Sequence, residues 1–199
     1  MRSALDDLDP APPWVSASSA GHIEHNPALA PHLQDAVYRL TRHAGTLTED
    51  WYLNMRDKTA ITHQQWIEVI DIVISVASVL RFAQLAGIDR PEFPTALDGE
   101  PSRQEQPSKP ASHHWVPVVH LEDMTPELEP FYQGLPVIAP VIRALSSVPA
   151  AMETLSVLSN AQYIPNREMV DLNWSRGTLS RRQMEFVAGR LSAHRECFY

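Results

Sequence analysis

The sequence predicts an all-α protein, and two observations support that fold class. Glycine is scarce, with 7 glycines against 17 prolines in 199 residues, which favours helices separated by extended connectors. Apolar residues recur at intervals of three and four through much of the chain, as they do on one face of a helix. With 44% hydrophobic residues, the chain can bury a sizeable core.

Three helices are predicted in the first half of the chain. Residues 32–43 and 47–58 form the first two, and Thr48 is the expected N-cap of the second because its hydroxyl can accept a bond from a free N–H. Thr62 opens the longest helix, which stops at Gly87. That helix is apolar on nearly all sides, so we expect it to lie buried in the middle of a bundle.

Four further helices are predicted in the second half of the chain. Thr125, followed by a proline and a glutamate, is a strong helix start, and this short helix reaches about Tyr132. Others cover residues 140–146 and 149–163. Ser180 caps the last helix, whose apolar stripe repeats at helical spacing.

Proline content divides the chain into four segments. Residues 1–31 read as an extended N-terminal arm, and residues 32–90 as a first helical half. Residues 91–117 contain six prolines and form the clearest linker, expected to run along the surface. Residues 118–199 make the second helical half. We expect the two halves to form one integrated domain.

Charge and cysteine content exclude several classes of function. The net charge is −8, so the chain lacks the basic surface that nucleic acids or anionic membranes require. The only cysteine, Cys197, cannot form an internal disulfide, which fits a reducing compartment. No signal peptide is evident at the N-terminus. The most apolar stretch, residues 72–80, is shorter than a membrane span. We therefore expect a cytoplasmic protein.

No metal or cofactor site is predicted. Histidines occur in two groups, but both lie in proline-rich segments without an accompanying cysteine or ordered carboxylate pair. These groups are His22 with His25, and His113 with His114 and His120. Glycine-rich phosphate loops and the signature motifs of serine hydrolases and zinc proteases are missing from the sequence.

Two segments resemble one known family. Residues 123–149 read DMTPELEPFYQGLPVIAPVIRALSSVP and contain an R-A-L-S-x-x-P-like element. Residues 179–199 read LSRRQMEFVAGRLSAHRECFY. Together they resemble the lead-in and the start of the catalytic helix in the alkylhydroperoxidase D-like and carboxymuconolactone decarboxylase superfamily. The match is best over residues 121–199, and residues 32–90 are compatible with a degenerate first half.

The resemblance implies a redox site with defined roles. The family's peroxidase motif is a glutamate, eleven residues, and then C-x-x-C-x-x-x-H. Glu185 lies twelve positions before Cys197 and matches its first part, and the sequence as given stops at Tyr199 inside the motif. By position, Glu185 would be the proton-relay carboxylate and Cys197 the resolving cysteine. The attacking cysteine and the histidine would follow Tyr199.

His194 is the remaining candidate residue. It lies three positions before Cys197, on the same face if the helix continues, and could act as a base toward the thiol. Glu196 and a carboxylate at Tyr199 would disfavour a thiolate. The alternative interpretation treats Cys197 as an inert small hydrophobe and Glu185 as a solvated surface residue.

The resemblance implies a thiol-dependent hydroperoxidase. Such a protein reduces a hydroperoxide with electrons from a thiol donor, such as a lipoyl or thioredoxin-like protein, without metal, flavin or haem. Members of the family usually form homo-oligomers. Two alternatives stay open: a non-catalytic binding or assembly member of the same fold, and a decarboxylase-like enzyme that acts on a lactone acid.

Overall fold

The computed structural model describes most of the chain after residue 27. The described residues are 28–42, 44–95, 98–100, 103–104, 106–132, 138–194 and 197. Their regular structure is mostly helical, as predicted. The α-helices are α1 (Pro31–Arg42), α2 (Glu49–Thr59), α3 (His63–Ala86), α4 (Glu129–Tyr132), α5 (Pro140–Arg143), α6 (Pro149–Gln162) and α7 (Arg181–His194). One antiparallel pair joins β1 (Ser175–Arg176) to β2 (Leu179–Ser180).

The predicted helix starts are confirmed by their hydrogen bonds. The Thr48 hydroxyl accepts from the backbone N–H of Trp51, and α2 begins at the next residue. Thr62 and Gln65 form a reciprocal capping box at the start of α3, in which each side chain accepts from the other residue's backbone N–H. Gly87 ends α3 with a φ of +65°, the left-handed conformation that glycine adopts most easily.

Two predicted helices in the second half are shorter than expected. After Thr125 the chain first makes a turn, and α4 begins only at Glu129. The predicted helix over 140–146 ends at Arg143, and a series of turns continues to Ser147. In that series Ser146 N–H donates to the Arg143 carbonyl, a three-residue bond tighter than that of an α-helix.

The prediction that α3 is buried on nearly all sides is wrong. Five of its residues are buried: Trp66, Ile67, Val73, Leu80 and Ala83. Ile72, Phe82 and Leu85 are exposed, Leu85 by 87%. Apolar side chains on both sides of a helix become buried only when other elements cover both sides. In the described residues, the side of α3 that carries Ile72 and Phe82 lacks such cover.

The length and composition of α3 also match those of a membrane span. Its 24 residues have a mean hydropathy of 1.8 in the most apolar window, of which 17% is buried. The apolar run over residues 72–80 is too short to cross a bilayer, whereas the whole of α3 is long enough. A single helix of this kind is weak evidence, because core helices of soluble proteins pass the same test.

The chain divides into two compact units. The first consists of Met1–Ile61, Gln133–Pro136 and Ser159–Tyr199, and the second of Thr62–Tyr132 and Val137–Leu158. In the first unit α1 packs against α2. There Arg39 pairs with Asp35 at 2.8 Å and stacks over the Trp51 ring. The predicted domain boundaries remain predictions.

A hydrophobic core lies in the second unit. It joins α3 to residues from the segment that follows the predicted linker, and its buried members are Ile67, Val119, Leu128, Tyr132, Leu145, Val148, Ala151 and Met152. The end of the predicted linker is bound to this unit. Lys109 and Val118 form an antiparallel bridge, and Gln106 N–H donates to the Ser147 carbonyl. The predicted arm over 1–31 lies almost wholly outside the described residues, as do His22 and His25.

Candidate functional site

The candidate redox residues belong to α7 and its C-terminal end, in the first unit. Ser180 precedes the helix, and the Gln183 side-chain oxygen accepts from the Ser180 backbone N–H at 2.9 Å. In return Gln183 N–H donates to the Ser180 hydroxyl at 3.4 Å. This reciprocal cap confirms the predicted start of the helix. It also fixes the first turn of α7, and Glu185 lies in the next turn.

Glu185 is held by two donors, one on each carboxylate oxygen. The Tyr163 hydroxyl donates to Oε2 at 2.7 Å, and Arg181 Nε donates to Oε1 at 2.7 Å. Arg181 lies four residues before Glu185, the spacing at which side chains on a helix meet. The Glu185 side chain is 45% exposed, so solvent still reaches a carboxylate whose direction is set by the protein.

Arg181 is the anchor of this arrangement. It is 8% exposed, and its guanidinium also donates to three backbone carbonyls of the preceding loop, those of Glu168, Met169 and Asp171. A planar group with five N–H donors can serve several acceptors at once, which an ammonium cannot do in the same way. Arg181 therefore fixes the loop, the start of α7 and the Glu185 carboxylate relative to one another.

The electrostatics of the pair favour an ionised Glu185. The hydrogen bond from Tyr163 lowers the pKa of Glu185, and the hydrogen bond and charge of Arg181 lower it further, against a smaller effect of burial. Burial, together with the neighbouring Glu185 carboxylate, raises the pKa of Tyr163 to about 12. At neutral pH the pair is therefore a neutral phenol that donates to a carboxylate anion.

Cys197 is exposed. Its backbone N–H donates to the Ser192 carbonyl at 3.0 Å, a five-residue span typical of the C-terminal closure of a helix. His194, the last residue of α7, is also exposed. Within the described residues, no hydrogen bond joins the His194 ring to the Cys197 thiol. Both side chains are open to small molecules from solution.

The helix separates the predicted site residues instead of gathering them. Glu185 and His194 are nine positions apart, which at the rise and rotation of an α-helix means about 14 Å along the axis and opposite sides. Cys197 follows the C-terminal end of α7. The roles of these three residues therefore remain predictions, and no two of them form a catalytic pair by direct contact in the part of the chain that is described.

Tyr163 is the participant that sequence reasoning missed. It is the last residue of the helix predicted over 149–163, whereas in the structure it follows α6 directly and donates to Glu185, 22 residues further along the chain. Periodicity cannot reveal a contact of that range. The spacing of Arg181 and Glu185 was a usable signal, because oppositely charged residues four apart on a helix pair frequently.

The predicted histidine group near the end of the linker, His113 with His114 and His120, interacts with other residues of the second unit. His120 lies 3.4 Å from a Glu122 oxygen, and its ring is 3.2 Å from the Pro110 carbonyl. Burial lowers the pKa of His114, and the nearby Arg143 and His113 lower it further. Among the residues that can be described, no three of His, Cys, Asp and Glu cluster in a way that could hold a metal ion.

The fold and site define a mostly helical protein with an anchored carboxylate on its last helix and an exposed thiol just beyond. Comparisons of the chain with family models, curated proteins and solved structures find no match.

Proposed function

We propose that this chain is a thiol-dependent hydroperoxidase-like oxidoreductase of the alkylhydroperoxidase D-like fold. The observation that carries the proposal is a fixed carboxylate on α7 together with an exposed thiol beyond the C-terminal end of that helix. Glu185 is held ionised by Tyr163 and Arg181, and the same helix leads to the exposed Cys197. An accessible thiol is the group that a hydroperoxide needs, and a fixed carboxylate is a group that can accept and pass on a proton.

The proposed reaction uses a pair of thiols, as the resemblance implies. The attacking thiolate would belong to the cysteine that the family's motif places three positions after Cys197. Its sulfur bonds to one peroxide oxygen, the O–O bond breaks, and the leaving alkoxide takes a proton to become an alcohol. The Cys197 thiol then condenses with the resulting sulfenic acid to form a disulfide and water. A dithiol donor reduces this disulfide to two thiols and is itself oxidised to a disulfide.

Glu185 serves this chemistry from a distance. The nine helical positions from Glu185 to the end of α7 at His194 already span about 14 Å, and Cys197 follows that end, so direct proton transfer between Glu185 and Cys197 is not expected. The relay therefore runs through intermediate donors or water, with Glu185 as its fixed end. Homo-oligomer formation, which the resemblance implies, would bring residues of a second copy within reach of this helix.

The test is peroxide consumption by the full chain with a dithiol such as dihydrolipoamide. Turnover by the wild type, its loss in Cys197→Ser and its reduction in Glu185→Gln are expected. Glu153→Gln is the matched control, because Glu153 is an exposed carboxylate on α6 and should leave the rate unchanged. Equal rates for the wild type and Cys197→Ser would exclude the proposal.

A second candidate function is that of a non-catalytic assembly subunit. One side of α7 exposes Phe186 by 70%, Val187 by 66% and Leu191 by 60%. Adjacent large apolar side chains open to water are typical of interaction surfaces. Sedimentation equilibrium of the wild type against a Phe186→Ser, Leu191→Ser double variant tests this function. A loss of mass in the double variant, but not in Val157→Ser on α6, supports an assembly role.

A further inference from the structure

A group of buried donors in the second unit lacks acceptors. Among the described residues, no hydrogen-bond partner is present for the Arg143 Nε, the Tyr132 hydroxyl or the Ser147 hydroxyl. Ser147 is fully buried and Tyr132 is 8% exposed. Native proteins leave few buried polar groups without a partner, and each such group needs an explanation.

Tyr132 and the turn that carries Arg143 lie in one part of the second unit. Tyr132 packs in the same core cluster as Leu145, which follows Arg143 by two residues. Burial raises the pKa of Tyr132, while the nearby Ser146 hydroxyl and then the Arg143 charge lower it. No carboxylate of the described residues forms an ion pair with Arg143.

The backbone beside this group is firmly held. The Ser146 hydroxyl accepts from Val119 N–H at 2.8 Å, and the Ser147 carbonyl accepts from Gln106 N–H at 3.1 Å. Leu145 and Val148, on either side of these serines, are part of the hydrophobic core. Donors on such a fixed turn cannot easily move to find other acceptors, so the missing partner has to come to them.

The chemistry of the donors limits what that partner is. Arginine stays protonated at any ordinary pH and offers only donors, so its partner must be an acceptor and is best an anion. A guanidinium binds two oxygens of a carboxylate or phosphate in one plane. The Tyr132 hydroxyl adds a neutral donor. An uncompensated cation that is partly withdrawn from water is unfavourable, and an anion removes that cost.

We propose that Arg143 and Tyr132 form a binding site for a small oxyanion, either a carboxylate or a phosphate. Arg143 supplies the charge and Tyr132 a directional donor. This site shares no residue with Glu185, Cys197 or His194. Its test is therefore independent of the proposed peroxidase activity.

The experiment measures the melting temperature of the full chain at pH 7 against inorganic phosphate and, separately, acetate. Ionic strength is held constant with chloride, so that screening is equal in all samples. The general stabilisation that phosphate gives any folded protein is measured in the Arg143→Gln and Tyr132→Phe variants and subtracted. A ligand that binds only the folded state raises the melting temperature in proportion to the logarithm of its concentration above Kd. We expect this rise with at least one anion, and calorimetric affinity about tenfold weaker or worse in Arg143→Gln.

Two further variants make the result decisive. Tyr132→Phe keeps the buried ring and removes only the hydroxyl, so it tests the site if Arg143→Gln fails to fold. Arg167→Gln removes an exposed arginine that pairs with Glu168 and should keep the full response. A response to acetate alone assigns a carboxylate ligand, and a response to phosphate alone assigns a phosphate. The proposal is overturned if neither anion acts beyond chloride, or if Tyr132→Phe and Arg143→Gln respond like the wild type.

Discussion

The hydroxyl of Tyr163 donates to Oε2 of Glu185 at 2.7 Å, and this bond joins the end of α6 to the first turns of α7. It reaches across 22 residues of sequence. Because Arg181 occupies the other carboxylate oxygen, Glu185 is fixed from two directions. Whatever the function of α7, this contact determines the charge and direction of its candidate carboxylate.

Replacing Tyr163 by phenylalanine tests the strength of that contact. Tyr163→Phe removes the donor and keeps the ring, so it should lower the free energy of unfolding by about 1 kcal/mol, the usual net value of a hydrogen bond at a partly exposed site. Urea denaturation gives the value. A double-mutant cycle with Glu185→Gln isolates the pair. Additive effects of the two changes would mean that the side chains do not interact in solution.

The lowered pKa of Glu185 predicts a specific dependence of stability on pH. Its pKa in the folded chain lies below the ordinary value of 4.5, so the folded state binds this proton less readily than the unfolded state does. The resulting stabilisation is present above about pH 4.5 and is lost as the pH falls through the folded pKa.

Urea denaturation between pH 7 and pH 3 measures this dependence. Glu185→Gln should lose less stability over that range than the wild type, while Glu153→Gln should follow the wild type. Parallel curves for Glu185→Gln and the wild type would contradict the assignment of a lowered pKa.

Arg181 should matter more for stability than any other charged residue of α7. Arg181→Gln leaves three loop carbonyls and the Glu185 carboxylate without their donor, so we expect a loss of about 2–3 kcal/mol. Lysine should recover little of this, because one ammonium cannot reach the same acceptors. Arg182→Gln is the control, since Arg182 is exposed and should change stability by less than about 0.5 kcal/mol. Thermal unfolding of the three variants checks the order.

Replacement by alanine should change the free energy of unfolding in opposite directions at two glycines. Neither a Cβ at Gly87 nor one at Gly189 would meet an atom within 4 Å, but Gly87 has a φ of +65°. Gly87→Ala should therefore lose about 1 kcal/mol through backbone strain alone. Gly189 lies inside α7, so Gly189→Ala should gain about 0.5–1 kcal/mol from helix propensity. Melting temperatures that shift in the same direction would show that the two backbones differ from this description.

The local structure was largely predictable from sequence. Thr48, Thr62 and Ser180 were expected as caps and each makes a capping contact, and Gly87 was expected as a stop. These features depend on hydrogen bonds that reach only three or four residues. The helices predicted over 125–132 and 140–146 are shorter in the structure. Turns whose side chains pack into the core take the place of part of each helix.

The candidate site was predictable only in part. Glu185 and Cys197 were predicted from their match to the family's motif, and α7 ends at His194, between the two. The donors that hold Glu185 come from Tyr163, which was predicted only as the end of a helix, and from Arg181, whose carbonyl partners lie in a loop. A pattern of residue types carries no information about which distant segment a loop will meet.

The sequence by itself determined the mostly helical class, the positions of the caps and the spacing of Glu185 and Cys197, because these follow from bonds between near neighbours. Only the tertiary structure decided that one side of α3 stays exposed and that Tyr163 reaches Glu185. It also decided that the Arg143 Nε and the Tyr132 hydroxyl are buried with no hydrogen-bond partner among the described residues. The physical reason is the range of the interactions along the sequence. Burial and long-range hydrogen bonds depend on which elements pack together, and that packing is a property of the whole chain.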